Sequence, residues 1–191
     1  MKIIIDDPQK GKVEYDMTGS VSLKTFVSKA LEIDQSFTLS KVCDIVKQSQ
    51  KASGYGYNIV DPSVWRNHNG FAYLIVANGR IAKVGMTEVT LSSRFSSYTA
   101  GTREARNKGT CSVTNFYCSE FIRYCLENNI KVEVYGYRVP NQTATIKVLG
   151  ESIEIKAKTA YFYETAFLSH HEKISKDNSV PVLCRNASTV S

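Results

Sequence analysis

Five polar side chains sit where apolar ones are expected. In the stretch Tyr73 to Thr87, YLIVANGRIAKVGMT, two apolar runs flank Asn78-Gly79, a strong local signal for a β-hairpin. Lys83 interrupts the second run, and Tyr73 precedes it by ten residues. Arg94 and Tyr98 follow four residues apart in RFSSY, so on a helix they are neighbours, sharing a side with Leu91 and Phe95. Glu164, in YETAFL, lies within the helical stripe of Ala160, Tyr163, Phe167, Leu168 and His171. A lone carboxylate there is costly unless it is paired or holds a cation. Each residue alone has an ordinary reading: a core tyrosine, an edge salt bridge at Arg94, or a buried Glu164–Arg94 pair.

The elements that position them can be read coarsely. Short strands KIIID and KVEYD come first, then helical spacing over Val21 to Leu31 and again over Leu39 to Val46. That pair of helices could form a helix-turn-helix. Residues 52–70, rich in Gly and Asn, read as one long loop. The hairpin occupies 71–86. The loop is expected to be the three-residue Ala77-Asn78-Gly79, which pairs Val76 with Arg80 and places Tyr73 directly opposite Lys83. A two-residue Asn-Gly turn instead puts them on opposite faces. A short helix then ends near Gly101, a basic loop or short helix fills 101–112, and a helix runs over about 115–128. Alternating strands, KVEVYGYRV and ATIKVLGESIEIKA, precede a helix over about Thr159 to Lys173 and an extended tail. This order implies an α+β fold: a small antiparallel or mixed sheet flanked by helices, with an N-terminal elaboration over 1–66. The catalytic domain would be 67–191, carrying a β-hairpin insertion at about 130–158.

The 191 residues suffice for a real core, with 42% hydrophobic and 22% charged residues. The excess of 24 basic over 18 acidic residues, a net +6, favours an anionic partner, nucleic acid above all. Five cysteines without a C-x-x-C pair argue against a disulfide framework and a zinc cluster. No apolar run is long enough for a membrane helix, and MKIIIDDPQK turns acidic too early for a signal peptide. A reducing, cytoplasmic location is expected. His170 and His171, adjacent on a helix, point in different directions and would not share a metal.

In order and spacing these residues resemble the GIY-YIG nuclease superfamily. Tyr73 matches the first tyrosine, Val84-Gly85 the Ile-Gly, Arg94 and Tyr98 the helix pair, Glu164 the glutamate helix and Asn186, in PVLCRN, the late asparagine. FAY stands in place of GIY, and Lys83 replaces the second tyrosine. A branch with a K-I/V-G-x-T signature, close to KVGMT here, includes some type II restriction enzymes and phage-encoded endonucleases. The resemblance covers 71–98 and, less fully, 130–186. It implies a metal-dependent DNA endonuclease, first a type II restriction endonuclease. The alternatives are a phage or mobile-element nuclease, a nuclease acting on RNA, or a nucleic-acid-binding module that has lost catalysis. Glu164 would hold Mg²⁺ or Mn²⁺, Arg94 the scissile phosphate, and Tyr73 would help deprotonate water beside the Lys83 cation. Tyr98 and Asn186 would position groups. Double-stranded DNA would be the substrate, a homodimer the cutting form, and Arg103, Arg106 and Lys108 a phosphate-contacting basic loop. Lys131, Arg138, Lys147, Lys156 and Lys158 are further candidates for such contacts.

Overall fold

The computed structural model describes residues 1–185 and the backbone of 188–189. Its centre is β5 (Phe71–Ala77), FAYLIVA, whose seven residues are all buried. Such a strand must be covered on both faces. It pairs antiparallel with β6 (Arg80–Thr87) on one side and β7 (Val132–Arg138) on the other. Beyond β7 lie β3 (Ser40–Lys47) and β4 (Tyr55–Ile59), giving an antiparallel five-stranded sheet ordered β4-β3-β7-β5-β6. The α+β architecture is as expected, and strands on both sides of residue 66 share this sheet.

One face of the sheet presents Phe71, Tyr73 and Ile75 to α3 (Leu91–Thr99), α5 (Val113–Glu127) and the N-terminal hairpin of β1 (Lys2–Asp7) and β2 (Gly11–Asp16). The other face presents Ala72, Leu74, Val76 and Val84 to α1 (Leu23–Ile33) and α6 (Ala160–Ile174). Two short helices, α2 (Pro62–Trp65) and α4 (Arg103–Asn107), fill loops. β8 (Thr143–Val148) and β9 (Glu151–Lys156) form a separate two-stranded hairpin with every residue exposed. The backbone of β10 (Ser188–Thr189) pairs with β2.

Three expectations change. The helix expected over Leu39 to Val46 is strand β3, so the helix-turn-helix does not form. The bulge at Val42 explains the misleading period: Lys41 pairs with Tyr135 and Cys43 with Val134, leaving Val42 as the extra residue. A bulge makes adjacent Val42 and Cys43 both buried, and a broken two-residue alternation imitates helical spacing. The stretch 52–70 is not one loop. It contains strand β4 and helix α2, started by Asp61, whose carboxylate accepts from the Ser63 and Val64 amides.

The third change is the hairpin turn. Ala77 pairs with Arg80, so the loop is the two-residue Asn78-Gly79, both with positive φ (48° and 74°). This is the type I′ turn that suits the strand twist. A bulge then falls at Ala82: Val76 pairs with Ile81, but Ile75 pairs with Lys83. Tyr73 therefore faces Gly85 rather than Lys83. The extra residue nevertheless returns Lys83 to the face of Tyr73, two pairs along the ladder.

Candidate active site

The hairpin, α3 and α6 meet along the β6 edge of the sheet. Tyr73 and Tyr98 are fully buried, and their hydroxyls lie 2.6 Å apart. Arg94, half-buried, donates from Nε to the Tyr73 hydroxyl at 3.0 Å, and its guanidinium lies 4.8 Å from the centre of the Tyr98 ring. Thr90 starts α3 by accepting from the Ser93 amide. Phe95 fixes the roll of α3, packing against Tyr73, Tyr57 and Trp65, while the Tyr57 hydroxyl donates to the Phe95 carbonyl at 2.8 Å.

Gly85 exists for the Tyr73 ring. A Cβ there would lie 2.4 Å from both Cζ and Oη of Tyr73. The glycine therefore leaves space for the phenol itself.

Lys83 is 6% exposed, and no hydrogen bond or ion pair to its Nζ occurs among the described residues. Burial opposes its charge, but Cys118, Cys184 and Tyr73 favour it and leave Lys83 above its ordinary value. The net direction favours the ammonium form of Lys83. Burial pushes the Tyr73 phenol up, while Arg94 and then Lys83 pull it back. Tyr98 is raised well above its usual value by burial and by Tyr73.

Glu164 reaches the same place from α6. Burial raises its carboxyl, and Lys83 and Arg94 counter that effect. The glutamate has no ion pair among the described residues, so the buried Glu164–Arg94 pair does not form. One half-buried carboxylate without a cationic partner fits a hard, oxygen-seeking ion that keeps most of its waters. It does not fit a dedicated all-protein cage, since no cluster of three or more metal-binding side chains occurs among the described residues.

Tyr73, Lys83, Arg94, Tyr98 and Glu164 are therefore brought together, while Asn186 lies outside the described residues. The basic loop is helix α4, and its three cations are all engaged. Arg103 binds the Asp6 carboxylate at 2.9 Å, and Lys108 binds Glu104 at 2.6 Å. Arg106 is buried against Asp7 at 3.1 Å and is withdrawn from any DNA-facing role, because its charge completes an internal pair. His170 donates from Nε2 to the Phe26 carbonyl, whereas His171 accepts the Val21 amide at Nε2 and donates from Nδ1 to the Ser179 carbonyl. They do point apart. Sequence reasoning missed Glu88, whose carboxylate accepts from the Ala160 amide and so ties the start of α6 to the end of β6. It also missed Cys118 and Cys184 as the groups beside Lys83, with the Cys184 thiol against the Val84 carbonyl at 3.2 Å. No local pattern marks any of these three.

No protein-family model and no curated protein matches the chain. Solved structures do. One is restriction endonuclease HPY188I in complex with product DNA, at 24% identity, TM-score 0.56 and 90% coverage of both chains. Another is a mutant of bacteriophage T4 EndoII, at 19% identity and TM-score 0.50, covering 72% of this chain and 90% of that one. The chain shares their fold.

Proposed function

We propose that the protein is a metal-dependent DNA endonuclease of the GIY-YIG type, in the branch where lysine replaces the second tyrosine. The observation that carries this reading is the convergence of Tyr73, Lys83, Arg94, Tyr98 and the unpaired Glu164 on one sheet edge. The fold supports it, since both solved structures above bear the names of DNA endonucleases. Mg²⁺ or Mn²⁺, held by Glu164 with waters and a phosphate oxygen, would supply charge stabilisation at the leaving 3′ oxygen.

The chain's own residues do the rest. Arg94 offers its terminal nitrogens to the scissile phosphate while Nε stays on Tyr73. Tyr73, once ionised, takes a proton from the attacking water. A phenol with an ordinary pKa of ~10 is a poor base at neutral pH. Arg94 and Lys83 are the two cations that favour its phenolate. Once Tyr73 is ionised, Tyr98 must be the donor in their 2.6 Å contact, which fixes the direction of the Tyr73 oxygen. A restriction endonuclease is the favoured form, acting on double-stranded DNA as a homodimer, since a symmetric double-strand cut calls for two such sites.

Incubation with plasmid DNA and Mg²⁺ tests this reading. Wild type should give discrete fragments, and Glu164→Ala should lose cutting by at least ~10²-fold while still binding DNA. Wild type that binds DNA without cutting it overturns the enzyme assignment, and normal cutting by Glu164→Ala overturns the metal assignment.

A further inference from the structure

A second cluster of cations lies at the other end of β6. At the tip of the hairpin, a cavity of about 270 Å³ is lined by Gly19, Ser20, Ser22, Thr25, Arg80 and Lys176, among others. Ser22 starts the eleven-residue helix α1: its hydroxyl accepts from the Thr25 amide at 3.0 Å and lies 2.7 Å from the Thr25 hydroxyl. The Leu23 amide is used by the Gly79 carbonyl, but the Lys24 amide has no partner among the described residues. Arg80 is pinned over this helix start. Its strand residue bridges Ser22, and Nη1 donates to the Ser20 carbonyl at 2.7 Å, leaving the rest of the guanidinium free. Neither Arg80 nor Lys176 has a carboxylate partner among the described residues. Ser20, 2% exposed, lines the same cavity, and its hydroxyl is a buried oxygen with no hydrogen-bond partner. Asp177 approaches Gly19, but the Ser179 hydroxyl and Arg185 hold it.

One open amide at a helix start, a guanidinium held in place, an ammonium and an orphan hydroxyl suit a tetrahedral oxyanion. We infer that this cavity binds a phosphate of the DNA backbone, outside the scissile position. The geometry favours that source. Arg80 lies three residues before Lys83 on one strand, roughly 10 Å at the usual strand rise, so a nucleic-acid strand whose scissile phosphate sits at Arg94 can reach Arg80 with a neighbouring phosphate along the β6 edge. The inference rests on the nuclease reading for the identity of the ligand, but not for the existence of the site.

The test uses binding, so it is separable from cutting. Amide shifts of Ser22 to Thr25 in the full chain are followed during titration with inorganic phosphate. DNA affinity is then measured without divalent metal, across a salt series. Saturating shifts are expected in wild type, weakened at least threefold in Arg80→Gln and in Lys176→Gln. DNA affinity should also fall at least threefold in both, with a salt slope shallower by about one. Lys176 makes no side-chain hydrogen bond or ion pair among the described residues, so its variant guards against misfolding of Arg80→Gln. Absence of amide shifts with phosphate overturns the site. Phosphate binding with unchanged DNA affinity overturns the assignment to DNA and marks a pocket for free phosphate compounds. DNA binding without cleavage would overturn the nuclease reading and leave this one standing.

Discussion

Lys83 carries a charge into a place where charge is expensive, and among the described residues it makes no direct bond that would offset the cost. Its use is electrostatic, beside the phenol of Tyr73. Lys83→Met should therefore leave stability unchanged or raised, and slow cleavage on the order of 10²-fold. The pH profile gives the sign. Burial raises Tyr73, so the phenolate fraction, and with it the rate, climbs as pH rises toward the alkaline range. Removing Lys83 removes one of the groups pulling Tyr73 down, so that limb should move to higher pH in the variant. On the acid side Glu164, also raised by burial, takes up its proton sooner than an ordinary glutamate and gives up its cation. Rates measured from acid to alkaline pH in both proteins check this; an alkaline limb that stays put in Lys83→Met removes Lys83 from the mechanism. These residues were legible because each is a polar group at an apolar spacing. Glu88 and Cys118 were not, because their partners are far away in sequence.

The bulge at Ala82 decides on which face a whole strand segment displays its chemistry. Deleting Ala82 should remove the bulge and restore regular pairing after the Asn78-Gly79 turn, with Lys83 still opposite Ile75 on the face of Tyr73. Cleavage should therefore be retained, because the residue removed is the one without a partner in the ladder. Ala82→Gly keeps the residue count and should retain most of the activity. Thermal melts and plasmid cleavage for the two variants check the argument, and a folded deletion variant that no longer cuts would refute it. The turn itself was visible as Asn-Gly, but the bulge was not. Neither Ala82 nor Val42 is a residue type that marks one, so each bulge follows from what the strand must bury. The Val42 bulge hid strand β3 behind a helical rhythm, and the Ala82 bulge put Lys83 on the right face through the wrong loop.

Across the molecule, the N-terminal hairpin is held by a buried knot. Asp7 accepts from Arg106 at 3.1 Å, from the Tyr117 hydroxyl at 2.6 Å and from the Gln9 amide at 2.8 Å. Asp7→Ala strands the Arg106 charge and should cost about 3–5 kcal/mol in denaturant unfolding. Burial opposes the Asp7 charge, but these bonds prevail and hold its carboxyl below the ordinary value. Its contribution is therefore complete above ~4, the unfolded carboxyl range, and is lost as pH falls through the lower folded value. Wild type should lose stability more steeply than Asp7→Ala on acidification, and equal slopes would count against the knot. Sequence could not show this, because Arg106 sits in a basic loop while its partner is ninety-nine residues earlier. The β8–β9 hairpin stands at the opposite extreme. It packs on no other element with a buried side chain, and it leaves the body between Val139, bonded to Gly70, and Ala160, which approaches Gly70 as well. The two ends of the excursion are therefore clamped to one point, just before the helix that carries Glu164. Descent can lengthen, shorten or replace what hangs there without disturbing the catalytic edge, so new targets could be explored by a lineage whose chemistry stays fixed.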